Sequence, residues 1–315
     1  ETRVFKFTVG AQNARNADAI GTEDVAIGQE VSIRKPFITT TIAFDDDTKN
    51  AEYVGSFNDP VRATISWFNN LPTAVTDAEI HIKLSGNSFD KVSVAPGDGL
   101  YKSADNEIVW NGITTSKLES IGPGEEGSVS FSFTPRDFST PVKVINNPSM
   151  VLEVSVRGKR LSESDVPENI TSTAKRSIKV SSRLSLSSQV IRSGSAFENI
   201  GPIPPRAEKQ TTYTVVWTVN NTSNTVTGAE VHALLPAYVK WMNMINPSGE
   251  DITYNNTNGE VVWRVGDVNT YTTNSTNRRQ VSFQIAITPS VAQVGQSPII
   301  VQDTTLVGQD DFTGQ

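Results

Sequence analysis

The sequence contains no cysteine, and this absence removes three kinds of chemistry together. In a chain of 315 residues with zero Cys, disulfide bonds, thiolate nucleophiles and zinc sites built on cysteine cannot form. We therefore expect packing alone to supply the stability. The absence also suits an extracytoplasmic protein of an organism that does not rely on oxidative folding.

Long apolar runs and a basic surface are missing as well. No stretch reaches the roughly 18 apolar residues of a membrane-spanning helix, and no charged-then-apolar signal segment follows Glu1. The formal net charge is -7, and neither half of the chain is basic. Because nucleic-acid binding needs clustered positive charge, we expect no nucleic-acid partner and no direct membrane insertion of this segment.

Histidine, the commonest general base, is scarce. The chain has 2 histidines, His81 and His232, at matching places in two similar segments, each on the polar face of a predicted strand. A solvent-facing structural role is favoured over catalysis for both of them. Two histidines one domain apart also cannot share a zinc ion.

The motifs of the common enzyme classes are missing too. No glycine-rich phosphate loop, Walker pattern or G-x-S-x-G elbow occurs. Acidic residues are plentiful, but most fall in predicted turns and no pair stands out for glycoside hydrolysis. An unrecognised carboxylate site is the alternative route to catalysis. We predict a protein that is not an enzyme, with no catalytic residue and no cofactor.

Three consecutive acids, Asp45, Asp46 and Asp47, are the candidate for a metal site. Ca²⁺ prefers oxygen ligands, but the D-x-[DN]-x-[DN]-G spacing of a calcium loop is absent. Runs of like charge are usually exposed. A solvated acidic turn is therefore favoured over a metal site, and we predict no bound metal.

What the chain has in abundance is Thr, Ser, Asn and Val in alternating patterns. From Tyr213 to Leu235, apolar and polar residues alternate on both sides of an Asn/Ser/Thr break, which predicts two half-buried strands joined by a polar turn. A second copy of this hairpin runs from Ala63 to Leu84.

The similarity extends over most of both halves. A separation held within about 150 to 154 residues indicates duplication. The matched residues are Trp67 and Trp217, Asn69-Asn70 and Asn220-Asn221, His81 and His232, Trp110 and Trp263, and Phe131 and Phe283.

The duplication divides the chain into three predicted parts. Residues 1–29 are an N-terminal strand and loop, 30–178 the first repeat and 179–315 the second. In the first part, Glu1 to Val9 alternates like a strand, and Asn13 to Gly28 is polar and predicts a loop. This part is either the tail of a preceding repeat or an edge strand of the first domain.

The boundary between the repeats lies in an alternating run from Ile178 to Val190, which contains no Gly or Pro. We predict a stiff junction here, since such a run can pass as one strand from the first domain into the second.

About seven short strands per repeat, separated by turn signals, predict the fold. We expect an all-β protein of two tandem antiparallel β-sandwich (Ig-like) domains plus an N-terminal strand segment. A closed barrel is the alternative for each domain. Four tryptophans fall on apolar strand faces and are predicted to be core residues: Trp67, Trp110, Trp217 and Trp263.

One tryptophan does not fit the duplication. Trp241 has no counterpart in the first repeat, where Phe89 is nearest, so it is the candidate for an exposed aromatic. Together with Tyr238 and Tyr254, around a predicted loop from Asn243 to Asn258, it is the candidate ligand contact of the chain.

Three stretches of the second repeat carry a resemblance to a known family: Thr211 to Pro236, Gly259 to Gly266, and Val281 to Pro289. They resemble the conserved-repeat family called domain of unknown function eleven. The first repeat matches more loosely, with Ser85 and Gly86 where the family has Leu-Pro. The resemblance implies tandem Ig-like sandwiches in bacterial cell-surface proteins, of the kind seen in candidate phyla, and implies no catalytic residue.

Two functions are compatible with these observations. The leading one is a non-catalytic structural segment of an extracellular or cell-surface repeat protein, such as a stalk, an S-layer or a fibre subunit. Its partners would be neighbouring repeats or copies of the same protein, joined by strand addition through edge strands such as Glu1 to Val9. The alternative is an adhesin or carbohydrate-binding module that binds a surface glycan through the loop around Trp241.

Overall fold

The computed structural model describes residues 2–13, 16–32, 36–50, 52–140, 143–161, 167–272 and 278–315. Within these ranges the regular structure is β-strand, with three single-turn 3-10 helices at Lys91–Ser93, Ser116–Leu118 and Val291–Gln293 and no α-helix. The predicted all-β class is therefore confirmed. Among the described residues, no helix has the length and hydrophobicity that a membrane-spanning helix requires.

The N-terminal part is a two-stranded antiparallel ribbon, formed by β1 (Thr2–Asn13) and β2 (Asn16–Ser32). The predicted loop from Asn13 to Gly28 is wrong, because nearly all of it belongs to β2. Its polar composition was misleading: a ribbon pairs through backbone N–H and C=O groups, which any side chain except proline allows.

The first sandwich follows, and its two sheets share one hydrophobic core. The smaller sheet has the order β10-β5-β3, and the larger has the order β4-β12-β11-β6-β8-β7, with β9 also paired to β6. Every ladder is antiparallel except that of β12 and β4, which is parallel. The strands are β3 (Ile38–Phe44), β4 (Glu52–Gly55), β5 (Val61–Asn69), β6 (Val75–Gly86), β7 (Leu100–Lys102), β8 (Glu107–Trp110), β9 (Ser120–Ile121), β10 (Glu126–Phe133), β11 (Ser149–Leu161) and β12 (Pro167–Val180).

The second sandwich has its own core between two four-stranded antiparallel sheets. Their orders are β13-β14-β19-β16 and β17-β18-β15-β20. The strands are β13 (Ser185–Ile191), β14 (Thr211–Asn220), β15 (Val226–Leu234), β16 (Val239–Asn246), β17 (Asp251–Asn255), β18 (Glu260–Val268), β19 (Arg279–Ile287) and β20 (Gln302–Asp310).

The two sandwiches share one strand order. The order β3-β5-β10 recurs as β13-β14-β19, and β7-β8-β6-β11 recurs as β17-β18-β15-β20, as the duplicated hairpin predicts. In the described parts of the chain, each sandwich also has an edge addition that the other lacks. In the first, β12 and β4 extend the larger sheet beyond β11, and in the second, β16 extends the smaller sheet beyond β19.

The four predicted core tryptophans are all buried, none more than 2% exposed. However, Trp67 and Trp217 are not equivalent. When the strands are aligned on Phe131 and Phe283, Trp67 lies two residues further along its strand and stays on the same face, because strands have a period of two. The cross-strand partners are Ala63 for Phe131, Gly127 for Trp67, Val215 for Phe283 and Val281 for Trp217.

A glycine makes room for the displaced tryptophan. A Cβ built on Gly127 would lie 2.3 Å from the ring of Trp67, which is closer than any side chain tolerates. Trp217 has Val281 opposite it instead and meets Phe283 edge-on, with ring centroids 4.9 Å apart. The two cores therefore place their largest side chain at different levels.

The same alignment corrects the matching of the asparagines. Asn69 is equivalent to Asn221 rather than to Asn220: both are buried, and each side-chain amide donates three hydrogen bonds to backbone carbonyls. The acceptors are Thr73, Ile121 and Gly122 in the first sandwich, and Asn224, Val268 and Asn269 in the second. In each case the asparagine ties its strand to two loops on the same end of the sandwich.

The junction between the sandwiches is not one continuous strand, so that part of the prediction is wrong. β12 ends at Val180 and β13 begins at Ser185. Between them, Ser181 donates its N–H to the carbonyl of Gly55 at 2.9 Å, and Ser182 donates its N–H to Oδ2 of Asp310 at 2.7 Å. Consecutive residues are thus bound to opposite sandwiches, and these side-chain and loop partners replace a strand ladder.

Two buried side chains of the second sandwich reinforce the junction. The amide of Asn224 donates to the carbonyl of Val180 at 2.9 Å and to Oδ2 of Asp310 at 2.8 Å. Asn224 is fully buried and Asp310 is 5% exposed. In addition, Nζ of Lys179 lies 4.9 Å from the ring centroid of Phe312. A carboxylate buried with several donors gives directional contacts that resist bending.

We expect the junction to hold one interdomain distance, and the absence of cysteine makes this simple to measure. Spin labels on Lys117→Cys and Gln296→Cys, both exposed, would report the distance between the sandwiches by pulsed electron resonance. A single narrow distribution is expected. Adding Asp310→Ala should broaden it, because Ser182 and Asn224 lose their acceptor.

Asp311→Ala is the matched control, because that carboxylate accepts from Thr227 at an exposed site. It should leave the distribution narrow. A broad distribution in the parent protein would contradict the stiff junction. So would an unchanged distribution in the Asp310→Ala variant with intact circular dichroism.

Candidate functional site

The unmatched strand β16 forms one side of a groove of about 660 Å³ in the second sandwich. The other side is formed by β17 and the turn after it. β16 and β17 are the outermost strands of the two facing sheets, so the groove follows the open side of the sandwich. Its walls include Val239, Lys240, Trp241, Tyr254, Asn256 and Thr257.

Two aromatic rings form the floor of the groove. The rings of Trp241 and Tyr254 are stacked, with centroids 5.6 Å apart and planes 16° apart. Trp241 also packs on Phe283 of the core, with centroids 4.9 Å apart. The prediction that Trp241 is exposed is therefore wrong: it is half-buried, because β16 pairs with β19 and holds the ring over the gap between the sheets.

A bulge in β16 accompanies this arrangement. Trp241 pairs with Ile285, but the next pair along the strand is Ile245 with Phe283, and Asn243 adopts a φ of 57°. The predicted loop from Asn243 to Asn258 is wrong as well, because its first residues belong to β16 and its middle is strand β17. Bulges bend and twist an edge strand locally.

The structure brings together two of the three candidate contacts and leaves the third outside. Trp241 and Tyr254 both line the groove, whereas Tyr238 does not. The Tyr238 hydroxyl instead donates a hydrogen bond to the carbonyl of Ile299 at 2.6 Å. Tyr238 thus anchors the segment before β20, which sequence alternation alone could not show.

Polar groups surround the aromatic floor. Lys240 and Asn256 are exposed on the two sides of the groove, and within the described residues neither side chain has a protein partner. Asn258, by contrast, is held by Glu260, whose N–H it accepts at 3.1 Å. No carboxylate lines the described groove, so it contains no acid and base pair. An apolar stacking surface with an amide and an ammonium group fits a hydroxyl-rich ring.

The two histidines occupy a duplicated arrangement that sequence reasoning missed. His81 places Nδ1 3.0 Å from Oε1 of Glu107 and Nε2 3.0 Å from Oε2 of Glu79. A neutral imidazole has one N–H, whereas the protonated ring has two and can donate to both carboxylates. The structural role predicted for His81 on the polar face agrees with this geometry, although its side chain is only 14% exposed.

The second copy repeats the arrangement. His232 lies 3.2 Å from Glu260 and 3.3 Å from Glu230 through the same pair of ring nitrogens. The signal was present in the sequence: a glutamate stands two residues before each histidine, and another opens the strand that pairs beside it. Both clusters lie on the outer faces of their sheets, where they bind neighbouring strands to each other.

One glutamate in each cluster, Glu107 beside His81 and Glu260 beside His232, has a lowered pKa. Burial raises the pKa of Glu107, but the hydrogen bond and charge of His81 outweigh it, so the pKa lies below its usual value. The hydrogen bond from His232 likewise lowers the pKa of Glu260.

The acidic turn is occupied by protein donors. Asp45 accepts from the hydroxyl of Tyr53 at 2.5 Å, and burial together with this bond raises the pKa of Tyr53 to about 12. Asp47 pairs with the buried guanidinium of Arg176 at 3.0 Å, whereas Asp45 and Asp46 are both exposed. The described residues contain no group of three or more His, Asp or Glu side chains that could hold a metal ion.

No family model and no curated protein matches the sequence. Among solved structures, the C-terminal domain of the Streptococcus pyogenes antigen I/II-family protein AspA is 8% identical with a TM-score of 0.30. That match covers 88% of this chain and 96% of that one.

Two further structures are similar at the same low level. BcpA, the major pilin subunit of Bacillus cereus, is 9% identical with a TM-score of 0.33, over 88% of this chain and 67% of that one. A Vibrio harveyi GH20 exo-β-N-acetylglucosaminidase is 8% identical with a TM-score of 0.24, over 45% of this chain and 18% of that one. These values are too low for the likeness to carry an argument about this chain.

The Glu107 and His81 contact should make the first sandwich sensitive to acid. The folded pKa of Glu107 lies below its ordinary value of 4.5. The contribution of this carboxylate to the free energy of unfolding is therefore fully present above pH 4.5. It is lost as the pH falls through the lowered pKa. At pH 7 we expect Glu107→Gln to lower the free energy of unfolding by about 1 kcal/mol.

Urea unfolding of the parent and the variant at several pH values would measure this difference. The difference should shrink as the pH falls below 4.5 and through the lowered folded pKa of Glu107, because the carboxyl then becomes protonated in the folded state as well. Glu119→Gln, at an exposed carboxylate, should differ little from the parent at each pH measured. A Glu107→Gln effect that does not shrink on acidification would contradict the assignment.

Proposed function

We propose that this chain is a non-catalytic structural segment of an extracellular or cell-surface repeat protein. The observation that carries the proposal is the junction, where Ser181 and Ser182, adjacent in sequence, are bound to different sandwiches. A stalk, fibre or surface lattice needs units that keep their spacing. A flexible linker, in contrast, lets neighbouring domains move independently.

Other features support the same proposal. The duplicated strand order is the organisation of a tandem array, and the resemblance to domain of unknown function eleven implies envelope repeat proteins. Titratable side chains described above bind other side chains of the same sandwich. His81 bridges two glutamates, and Asp47 is bound to Arg176. Within the proposal the protein is not an enzyme, and its partners are neighbouring repeats or further copies.

The cell-surface part of the proposal has a direct test. Antibodies raised against the purified chain should label intact cells of the native host. Protease added outside those cells should remove the signal while a cytosolic marker protein stays intact. Labelling only after the cells are broken, together with recovery of the protein in the cytosolic fraction, would contradict an extracellular location.

A second candidate is carbohydrate binding at the groove between β16 and β17. The observation that favours it is the stacked pair of Trp241 and Tyr254 beside the exposed Lys240 and Asn256. Aromatic faces bind the apolar faces of sugar rings, and amide and ammonium groups bind their hydroxyls. Under this proposal the ligand is a surface glycan and the chain acts as an adhesin module.

A glycan array probed with the parent protein and with Trp241→Ala tests this candidate. Binding to one class of glycan is expected, and loss of the ring should weaken it at least about tenfold, which is about 1.4 kcal/mol. Tyr238→Ala is the matched control, because Tyr238 is a neighbouring aromatic outside the groove, and it should bind like the parent. Equal binding by the parent and Trp241→Ala would exclude the groove as the site.

A further inference from the structure

The strand β20 has an outer edge whose counterpart in the first sandwich is covered. β20 and β11 are equivalent, because each pairs with the second strand of the duplicated hairpin. Two glycines confirm the alignment. A Cβ on Gly158 of β11 would lie 2.5 Å from Val75, and a Cβ on Gly308 of β20 would lie 2.7 Å from Val226.

In the first sandwich the far side of β11 is paired along its whole length. β12 runs antiparallel to it, from Ser149 opposite Lys179 to Leu161 opposite Pro167. In the part of the second sandwich that the structure describes, no strand pairs with the corresponding side of β20. Val307 lies on this edge strand and is 53% exposed. Unpaired N–H and C=O groups on such an edge are a template for another strand.

The N-terminal ribbon also has strand edges without a partner strand. Among the described residues, β1 and β2 pair only with each other. A two-stranded ribbon is marginally stable in water without a further strand or a packed face. Ile27 of β2 is 63% exposed. In sequence, Phe5, Phe7 and Val9 alternate with polar residues, which is the pattern of a strand with one buried face.

That pattern matches what β12 presents to the first core. Ile170, Ala174 and Ile178 of β12 pack in or against the first core, whereas residues between them, such as Lys175, face outward. A strand added to β20 in the same way needs an apolar residue at every second position and polar residues between. β1 supplies this alternation.

We propose that the free edge of β20 binds the β1–β2 ribbon of a second copy of this chain, with β1 antiparallel to β20 in the position that β12 holds in the first sandwich. This inference rests on the proposed structural role and names the contact by which copies would join. Because donor and acceptor are different surfaces, the contact is head-to-tail and can continue into a fibre or ring.

The geometry of the first sandwich favours a second copy over the same chain. The segment after the ribbon is fixed at one end of β5, where the amide of Asn70 donates to the carbonyl of Pro36 at 2.9 Å. The junction is fixed at the other end, where Ser181 binds Gly55, which packs near Val61. The ribbon therefore leaves the first sandwich at one end of β5, and the last residue of β20, Asp310, meets the junction at the other end of this strand of about 30 Å.

Disulfide trapping between two differently labelled full chains tests the proposal, because the parent has no cysteine. One chain carries Val307→Cys, and the other carries Lys6→Cys or Thr8→Cys, which alternate with the apolar positions of β1. Since each chain has one thiol, a mixed disulfide can arise only between copies. At least about tenfold more mixed dimer is expected than with Val291→Cys, which is 66% exposed and lies outside β20.

A synthetic peptide of residues 2–13 should compete and reduce the trapped dimer, whereas a peptide of the same composition in scrambled order should not. Equal yields from Val307→Cys and Val291→Cys would overturn the proposal. A chain with both Lys6→Cys and Val307→Cys that closes on itself at high dilution would overturn the second-copy assignment. Surface labelling of native cells does not depend on this contact. A negative trapping result would therefore overturn the contact and not the cell-surface proposal.

Discussion

Unpaired backbone groups at sheet edges are the constraint on which the functional surfaces of this protein depend. Both sandwiches share one strand order, and they differ in how their edges are completed. The addition of β16 in the second sandwich sets Trp241 over the gap between the sheets and so creates the aromatic groove. Among the described residues of the second sandwich no strand takes the place of β12, which leaves β20 with a free edge. Candidate function therefore lies where the duplicated plan is altered.

Hydrogen bonds from polar side chains hold the loops and the junction in place, which the apolar cores alone do not do. Asn69 and Asn221 are buried and each donates to three backbone carbonyls, and Asp310 connects the two sandwiches through Ser182. A buried carboxylate or amide is stable only when its partners are in place. These contacts therefore specify one arrangement of the loops and of the junction, whereas the apolar core tolerates shifts such as the two-residue displacement between Trp67 and Trp217.

Much of the fold was predictable because strand alternation is a local signal. The hairpins, the core tryptophans and the outer-face histidines all follow from a period of two. The N-terminal ribbon was missed because its second strand is polar, and polar residues pair through the backbone as well as apolar ones do. For the candidate site, the singular position of Trp241 was visible in the sequence. The stacking of Trp241 on Tyr254 and the hydrogen bond from Tyr238 to Ile299 could not be predicted, because both contacts join separate strands or loops.

By itself, the sequence determined that this protein is all-β, that its plan is duplicated and which residues face the two cores, because each of these depends on spacing along the chain. Tertiary structure decided the register and the partners. A period of two cannot distinguish Asn220 from Asn221 as the equivalent of Asn69, or tell that His81 lies between Glu79 and Glu107. Those outcomes depend on which strand lies alongside, and that choice is made by contacts between residues far apart in the chain.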